Sequence, residues 1–416
     1  MTFHRVVAAA LIGIGFSAVL IPASEVGASP TTLTVGSAQR CTGTYTTISD
    51  AVAAAAPGDT IQVCAGTYDE TVDVNIPDLT FDGARAGHHA TAARAAALTK
   101  ESVVSDVNGD FILGPGADNT TIDGFALEGA GSPSVNHDGI EAFAGSSGLN
   151  VTDNVIDGNG NGINLQNPDA SDPAVITRNY IVNNNSEGNL GANGETGTGV
   201  FISNGPADNT SITYNTFGQD SQTAINFAGD TGNPSVGLIV TKNTSLNDST
   251  FVVAINSVNA DIEGNKITVN GTVPGGNGTG ILDFGGNSDL RIMKNKMTSN
   301  STVSGAISLA TYAGSASAGT TVSGNTVSGW DYGVYVASSY DSALVASNHI
   351  SKNGIFGIYV NSSTNGNVLS RNRVLSDNGG SVDCTDLSTG VLTDGTANTW
   401  LKNVGTDGNS TPSGIC

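Results

Sequence analysis

Hydrophobic and polar residues follow a repeating unit built around asparagine along most of the chain. A large apolar residue stands three positions before the asparagine, and in most units another stands two after it, as in Ile176, Asn179 and Ile181. The units recur every 22 to 36 residues, at Asn154, Asn179, Asn215, Asn243, Asn265, Asn295, Asn325, Asn348, Asn372 and Asn403. A repeat of about this length is typical of a solenoid. The alternation predicts short strands with one face inward, joined by a bend at the asparagine.

A second motif lies between the asparagines. It is a glycine followed by a β-branched residue, at Gly162, Gly199, Gly280, Gly333 and Gly357. Parallel stacking of such strands at about 4.8 Å predicts an all-β fold, a single-stranded parallel β-helix. Because asparagine tolerates left-handed backbone at bends, we expect the repeated asparagines to adopt it and to stack their amides in a ladder.

The two ends of the chain differ from the repeats. Residues 1–28, with an apolar run at 6–21, are typical of a signal peptide, and residues 47–56 predict a capping helix before Pro57. This gives a cap with the first strands at 29–80, repeats at 81–383 and a C-terminal cap at 384–416. In an exported chain, Cys41 with Cys64 and Cys384 with Cys416 predict two disulfides.

Composition limits the partners. The chain has 37 acidic residues against 15 Lys and Arg, a formal net charge of −22. Such a molecule repels polyanions on average, so nucleic acid is an unexpected partner. Beyond the leader there is no apolar stretch long enough for a membrane span. We therefore expect a secreted, extracellular bacterial protein that is soluble and monomeric.

Two segments near the start carry a family resemblance. Ala-Pro-Gly-Asp-Thr-Ile at 56–61 and Ala-Gly-Thr-Tyr-Asp-Glu at 65–70 resemble the opening of right-handed parallel β-helix proteins of the pectin-lyase-like superfamily. The resemblance extends over residues 31–416 and implies a right-handed helix, the usual hand of parallel crossovers. The superfamily includes lyases, hydrolases, esterases, epimerases, adhesins and maturation factors. The resemblance therefore leaves the activity open.

Catalytic signatures of individual subfamilies are incomplete. Gly66, Tyr68 and Glu70 match the opening of pectin methylesterases, but the later elements of that family are missing. The Gly-His-His at 87–89 is similar to one polygalacturonase element, without the paired aspartates or the Arg-x-Lys. No catalytic site can therefore be carried over from a relative.

Basic residues concentrate beside the asparagines. Eight of the twenty flanking positions are Lys or Arg, and we expect them to form one solvent-exposed strip: Arg178, Lys242, Lys266, Lys294, Lys296, Arg371, Arg373 and Lys402. Such a strip could bind the carboxylates of an acidic polysaccharide. Lys242, Lys266 and Lys294 are candidates for the base of a uronate lyase, since a cation near the carboxylate acidifies the α-proton. The alternative is a solvated face whose cations discourage strand pairing.

Other side chains are candidates for the same function. His137, Asp138 and Glu141 precede or lie on a predicted strand, and two carboxylates with a histidine could perform acid–base catalysis or bind Ca²⁺. The alternative is a polar turn whose aspartate bonds the local backbone. Tyr335 and Tyr359 occupy equivalent places in neighbouring turns, where their rings could stack on sugars or on each other.

The sequence thus predicts a secreted β-helix that binds an extracellular acidic polysaccharide and, if it is an enzyme, cleaves or epimerises it as a lyase or epimerase rather than a glycoside hydrolase. No cofactor is required by this chemistry, Ca²⁺ is left open, and the metal ligands are undetermined. The alternative is a non-catalytic adhesion module or a periplasmic maturation factor.

Overall fold

Three long parallel sheets wind around one hydrophobic core. The computed structural model describes residues 29–38, 40–129, 137–142, 145–185, 197–230, 232–274, 278–300, 303–311, 315, 317–375, 382–406 and 409–416. The chain passes from sheet 1 to sheet 2 to sheet 3 and back, so that each strand pairs in parallel with a strand one turn away. The result is a parallel β-solenoid of about 13 turns, which confirms the predicted fold class.

The strands are short and recur in the same order in every turn. Sheet 1 consists of Thr32–Val35, Thr60–Val63, Thr80–Asp82, Thr121–Asp123, Asn150–Thr152, Val175–Thr177, Ser211–Thr213, Ile239–Thr241, Asp261–Glu263, Arg291–Met293, Thr321–Ser323, Leu344–Ala346, Val368–Ser370 and Thr399–Leu401. Sheet 2 consists of Gly66–Tyr68, Ser102–Val104, Phe125–Glu128, Val155–Asp157, Tyr180–Val182, Thr216–Gly218, Thr244–Leu246, Lys266–Val269, Lys296–Ser299, Thr326–Ser328, His349–Ser351 and Arg373–Leu375.

Sheet 3 contains the longest strands. It consists of Val72–Val74, Phe111–Leu113, Asp138–Ala142, Asn161–Asn167, Thr198–Ala207, Thr223–Ala228, Thr250–Ile255, Thr279–Asp283, Gly305–Leu309, Tyr332–Val336, Phe356–Val360, Val382–Asp386 and Ser410–Thr411. Two small pairs lie outside the three sheets, Ser37–Ala38 with Cys41–Thr42 and Ser235–Val236 with Ser257–Val258.

The predicted inward residues form the core. Ile176 and Ile181 are fully buried, and so are their counterparts in other turns, such as Val151 with Ile156 and Leu369 with Val374. Each inward side chain packs on the one a turn away, because the strands pair in register. The apolar alternation in the sequence therefore translates directly into stacked columns inside the solenoid.

The recurring glycines mark a close approach of successive turns. A Cβ on Gly162 would lie 2.6 Å from the carbonyl oxygen of Gly199, and one on Gly333 would lie 2.5 Å from that of Gly357. In the same column, Ala224 lies opposite Gly199 on the next strand. At these glycines a side chain would clash with the backbone of the next turn.

A short helix packs against the first turn. Helix α1 spans Ile48–Ala54, two residues shorter at its C-terminal end than predicted, and the Thr47 hydroxyl accepts a hydrogen bond from the Asp50 N–H. Ile48, with the helix's other buried residues, joins the main core. The Glu70 carboxylate accepts hydrogen bonds from the N–H groups of Ile48 (2.8 Å) and Ser49 (3.0 Å). Glu70 therefore holds the helix N-terminus in this chain.

Both predicted disulfides are confirmed. Cys41 joins Cys64 with the Cα atoms 5.6 Å apart, and Cys384 joins Cys416 with the Cα atoms 6.2 Å apart. The first lies beside the second strand of sheet 1, and the second ties the last residue to sheet 3. Helix α2 (Ala92–Ala95) and the 3₁₀ turns Leu98–Lys100 and Thr393–Gly395 complete the secondary structure of the described residues. The predicted signal peptide lies outside the described residues.

Candidate functional site

A ladder of asparagines runs along the corner between sheets 1 and 2. The Asn265 Oδ1 atom accepts hydrogen bonds from the backbone N–H (2.9 Å) and the Nδ2 (3.1 Å) of Asn243. The Nδ2 of Asn265 donates to the Val240 carbonyl (2.9 Å) and to Asn295 Oδ1 (3.0 Å). The same contacts link all ten repeated asparagines from Asn154 to Asn403. The predicted ladder is therefore present.

The left-handed residue of the bend is the one before the asparagine. Its φ lies between +52° and +67° in all ten units, whether it is Lys294, Arg371 or Gly264, whereas no ladder asparagine has a positive φ. Our expectation that asparagine itself adopts this conformation was wrong. The amide must reach both neighbouring turns from an inward position, so the sharp turn falls one residue earlier.

The predicted basic strip divides into two columns. The turn column contains the left-handed residues, including Arg178, Lys242, Lys294, Arg371 and Lys402. The cation column is the first outward position of sheet 2, where successive strands place Lys266, Lys296, Thr326, His349 and Arg373 in register. Lys266 and Lys296 are therefore direct neighbours, as expected. Lys242 and Lys294 are separated by Gly264 in the other column.

Several cations of the turn column are paired. Arg178 forms a bidentate pair with Asp153, and the Lys294 Nζ lies 2.6 Å from Glu263 Oε1. The Lys242 ammonium donates to the Tyr214 hydroxyl (2.7 Å), which raises the pKa of that lysine. In the described part of the chain, Lys266, Lys296 and Arg373 form no ion pair. Ion pairing therefore balances Arg178 and Lys294 in the turn column but none of these three cations of the cation column.

A second outward column of sheet 2 carries hydroxyl groups. Thr268, Thr298, Ser328 and Ser351 stand in register two residues after the members of the cation column. Their side chains are half-buried, while Lys266 and Lys296 are exposed. Over four successive strands, the outer face of sheet 2 thus presents a row of hydroxyls beside a row that begins with Lys266 and Lys296 and continues with Thr326 and His349. We call it the sheet 2 face.

An insertion covers the first strands of the same sheet. Residues 84–101 fold over its outer surface, and Ala90 packs with Val103, Ala126 and Val155 in a small apolar cluster. Arg94 is buried there, and it donates to the carbonyl oxygen of Asp153 (2.6 Å) and to Glu101 (3.0 and 2.6 Å). The covered region extends to Tyr180, which packs against the cluster. The exposed sheet 2 face begins beyond it.

His137, Asp138 and Glu141 lie elsewhere on the molecule. His137 and Asp138 are buried where the chain enters sheet 3, and the Asp138 carboxylate accepts hydrogen bonds from Asn161 Nδ2 and Asn164 Nδ2, both 3.0 Å. Their turn is four strand steps from that of Lys242, roughly 19 Å along the axis at about 4.8 Å per step. The structure does not bring the two groups of predicted catalytic residues together.

Three carboxyl groups gather at a position that the sequence analysis missed. Glu128 and Asp157 are register neighbours at the outer end of sheet 2, and the Glu128 charge acts on the buried Asp110. Burial, followed by the charges of Asp157 and Glu101, raises the pKa of Glu128 to about 7. Burial likewise raises the pKa of Asp110 and Asp157. The sequence did contain a signal for the Glu128–Asp157 pair, because each of the two residues lies the same number of positions after the bend that precedes it.

Tyr335 and Tyr359 stack on each other. Their ring centroids are 5.5 Å apart with an interplanar angle of 4°, and Tyr332 and Phe356 form a second pair at 5.7 Å beside them. The facing surfaces of the two tyrosine rings are thereby occupied, which leaves mainly edges and hydroxyls toward solvent. Sugar binding by these tyrosines stays a prediction.

The described residues offer no ready metal site and no membrane span. They contain no group of three or more His, Cys, Asp and Glu side chains arranged to hold a metal ion. No helix among them has the length and apolar character needed to cross a bilayer. The predicted Ca²⁺ site stays a prediction.

The fold defines a class of protein, an extended parallel β-helix. A family profile described as right-handed β-helix region matches residues 63–240. Residues 63–240 therefore match right-handed β-helix proteins, and the described chain has the parallel β-helix fold that the sequence resemblance implies. No curated protein sequence matches it.

Solved structures of other proteins share this fold. The chain is similar to a DFA-IIIase from Arthrobacter chlorophenolicus A6, solved without its lid in complex with GF2, at 14% identity and a TM-score of 0.53 over 77% of this chain and 87% of that one. It is also similar to a GH87 α-1,3-glucanase catalytic unit from Streptomyces thermodiastaticus strain HF3-3, at 15% identity and a TM-score of 0.50 over 87% and 65%. At these identities the similarity shows the fold alone.

A second family profile covers the C-terminal quarter. Residues 311–406 match the family described as periplasmic copper-binding protein (NosD). Copper sites use imidazole, thiolate and thioether ligands. The matched range has one histidine, His349, no methionine and one cysteine, Cys384, which is held in a disulfide. These residues do not fit a copper centre.

Proposed function

We propose that this protein is exported and binds an acidic polysaccharide along the sheet 2 face. The observation that carries the proposal is the register pairing of Lys266 with Lys296 on adjacent strands. Like charges directly opposite each other on a sheet are destabilising. An anion lying across both ammonium groups would relieve that repulsion, so the pair favours an anionic ligand.

The rest of the face suits a long chain of sugars. Strands follow each other at about 4.8 Å along the axis, so a linear ligand would meet a new side chain at each step. The cation column would take carboxylates, and the parallel row of Thr268, Thr298, Ser328 and Ser351 would bond sugar hydroxyls. Carbohydrate-related function is also what the similar solved structures support.

Export is supported by separate features. Two disulfides in one chain are typical of an oxidising compartment, such as the periplasm or the extracellular space. The description of the C-terminal profile as periplasmic agrees with such a location. The predicted signal peptide at 1–28 would provide the route.

Binding is best tested by affinity electrophoresis and calorimetry on the protein without its leader. The probes are polygalacturonate and alginate, with neutral dextran as the comparison. We expect binding to both acidic polymers, weakening as salt is raised because exposed charges are screened. A double variant, Lys266→Glu with Lys296→Glu, is expected to weaken binding at least about tenfold, since two attractions become repulsions.

The matched control is Lys352→Glu, an exposed lysine at the opposite end of a sheet 2 strand, two turns from Lys296. It makes the same kind of charge change away from the cation column and is expected to leave affinity nearly unchanged. Equal losses in Lys352→Glu and the double variant would indicate a general charge effect, and the assignment of the sheet 2 face would fall.

The same incubations test the predicted enzymatic activity. A uronate lyase forms an unsaturated sugar that absorbs in the ultraviolet, and an epimerase changes the ratio of uronates in the polymer. Turnover that is lost in the double variant would support the predicted catalytic roles of Lys266 and its neighbours. Binding without turnover would support the alternative of a non-catalytic adhesion module.

A further inference from the structure

Two adjoining cavities lie at the N-terminal end of the solenoid, under and beside the insertion. One, of about 560 Å³, is lined by residues 85–101 of the insertion, including Arg85, His88, His89 and Lys100. The other, of about 830 Å³, lies between the insertion and the Cys41–Cys64 disulfide. Arg85 and Lys100 line both cavities, so the two volumes meet at these cations. Their size is that of pockets for small organic ligands.

The lining is strongly basic for so acidic a molecule. Arg40, Arg85, Arg94 and Lys100 line the cavities, against one carboxylate, Glu101. Four of the 15 Lys and Arg residues of a chain with net charge −22 therefore meet at one place. A basic cluster on so acidic a molecule favours an anionic ligand at this place.

The Glu101 carboxylate is already paired within the lining. It is buried, and it receives two hydrogen bonds from Arg94, at 3.0 and 2.6 Å. The Arg85 Nε lies 3.9 Å from Glu101 and forms no hydrogen bond among the described residues, although the atom is shielded from solvent. Arg40, Arg85 and Lys100 therefore carry positive charge that the cavity itself does not balance.

Two carboxylates on the neighbouring strands of sheet 1 leave this charge in place. Asp123 is occupied by the backbone of the insertion, because both of its oxygens lie 3.1 Å from the Gly87 N–H. Asp82 stands on the outward face of sheet 1, beside Gln62 and Asp123 in register, and forms no ion pair within the described residues. Neither aspartate lines either cavity.

Neutral polar groups complete the lining. Gln62 and Thr99 face the larger cavity, and Thr91 faces the smaller one together with His88 and His89. An amide, hydroxyls and imidazoles can bond sugar hydroxyl groups as donors or acceptors. Guanidinium groups bind planar oxyanions through paired N–H donors, and an ammonium adds a point charge.

We propose that these cavities bind a small acidic sugar, whose carboxylate or phosphate is held by Arg85 and Lys100 with Arg40 at the rim. The Arg85 guanidinium, on a side chain that is 34% exposed, donates to the oxygens of the anion, and the Lys100 ammonium neutralises its charge. The site is six strand steps from Lys266, roughly 29 Å along the axis. It is therefore distinct from the sheet 2 face.

Isothermal titration calorimetry with single sugars tests this assignment. The probes are galacturonate, glucuronate and glucose 6-phosphate, with glucose as the neutral comparison. We expect at least one acidic sugar to bind about tenfold or more tightly than glucose, the scale of one charge-assisted hydrogen bond. The uronates and the phosphate ester in separate titrations show which anion the pocket prefers.

Arg85→Gln and Lys100→Gln are each expected to weaken acidic-sugar binding about tenfold or more, because each removes one charged donor. Lys352→Gln is the control, with the same change on a distant corner. Lys100 is exposed, so its variant retains the fold even if Arg85→Gln destabilises the insertion, and thermal unfolding of each variant verifies this.

The double variant Lys266→Glu with Lys296→Glu separates the two sites. We expect it to leave binding of single sugars unchanged, whereas Arg85→Gln should leave retention on polygalacturonate nearly unchanged. The pocket assignment is overturned if no acidic sugar binds more tightly than glucose, or if folded Lys100→Gln and Arg85→Gln variants bind as the wild type does.

Discussion

Replacing one asparagine of the ladder in the middle of the solenoid should lower the free energy of unfolding by a large and measurable amount. In Asn265→Ala, four hydrogen bonds disappear: two that Asn265 Oδ1 accepts from Asn243, and two that Asn265 Nδ2 donates to the Val240 carbonyl and to Asn295. The Asn243 backbone N–H then has no acceptor, since Asn265 Oδ1 is the partner it uses. Asn243 and Asn265 are both almost fully buried, so water cannot readily replace the lost partners.

The magnitude follows from the two buried backbone groups. A buried polar group without its partner costs about 1–3 kcal/mol, so the Asn243 N–H and the Val240 carbonyl together predict a loss of about 2–6 kcal/mol in unfolding free energy. The measurement is urea-induced unfolding at neutral pH, followed by the fluorescence of the buried Trp330 and Trp400. Lys266→Ala, one residue further on and exposed, is the control and should change stability by less than about 0.5 kcal/mol.

A third variant separates the acceptor from the donor. Asn265→Asp keeps an oxygen that can accept from Asn243. It replaces the amide donor with a second oxygen, so the Val240 carbonyl loses its donor unless the new carboxyl group is protonated. Its folded-state pKa should be raised by burial, so its stability is greatest at low pH and is lost as pH rises through that pKa. If Asn265→Ala unfolds within about 0.5 kcal/mol of the wild type, the view that the ladder holds successive turns together is refuted.

Three further variants probe other parts of the solenoid. Burial raises the pKa of Asp248 to about 7, and burial together with the Asp248 charge raises the pKa of Asp220. Asp248 in the folded protein therefore keeps a proton up to about neutral pH. The stability that protonated Asp248 contributes is present at acid pH and is lost as pH rises toward 7, by at most about 1.4 kcal/mol per pH unit. Asp248→Asn should remove this dependence, seen as a variant-minus-wild-type unfolding free energy that grows from pH 5 to pH 8, and a flat difference would contradict it. Gly333→Val should lower the melting temperature by several degrees, since a Cβ would meet the next turn's carbonyl oxygen at 2.5 Å; an unchanged melting temperature would contradict the close approach. Glu101→Gln should destabilise the insertion by about 3 kcal/mol or more, because it leaves the buried Arg94 without its counter-charge; hydrogen exchange confined to residues 84–101 measures this loss, and unchanged protection would contradict it.

The repeating core was predictable because the rule behind it is local. Inward residues such as Ile176 and Ile181 flank Asn179 at fixed distances, and any right-sized apolar residue at these positions stacks on its neighbour a turn away. The spacing between units varies from 22 to 36 residues without disturbing the stack, because the additional residues form loops at the corners between the sheets. Fold class therefore followed from pattern alone.

The placement of charges was less predictable. Whether Lys294 or Lys296 faces a neighbouring cation depends on the residue at the same column of the next turn, and Gly264 interrupts one column while Lys266 continues the other. The pairing of Glu128 with Asp157 likewise appears only once the turns are superimposed. The number of residues between two positions does not reveal whether they are in register on neighbouring strands, because loops of different length intervene.

The insertion at 84–101 was the largest omission in the sequence analysis. Its Ala-rich stretch gives little periodic signal, and helix α2 spans only Ala92–Ala95. It is anchored by the buried ion pair between Arg94 and Glu101, by the hydrogen bond from Arg94 to the distant Asp153 carbonyl oxygen, and by the apolar packing of Ala90. Such long-range anchoring depends on the tertiary structure and leaves no mark in a local pattern.

The two disulfides have a consequence for how this molecule comes apart. A solenoid is held by nearest-neighbour contacts, so its terminal coils, each supported on one side, are the natural starting points for unravelling. Here a covalent bond fastens each extremity, between Cys41 and Cys64 at one and between Cys384 and Cys416 at the other. Reduction should therefore convert a body that resists peeling from both tips into one that proteases can shorten progressively, coil by coil, from the outside inward.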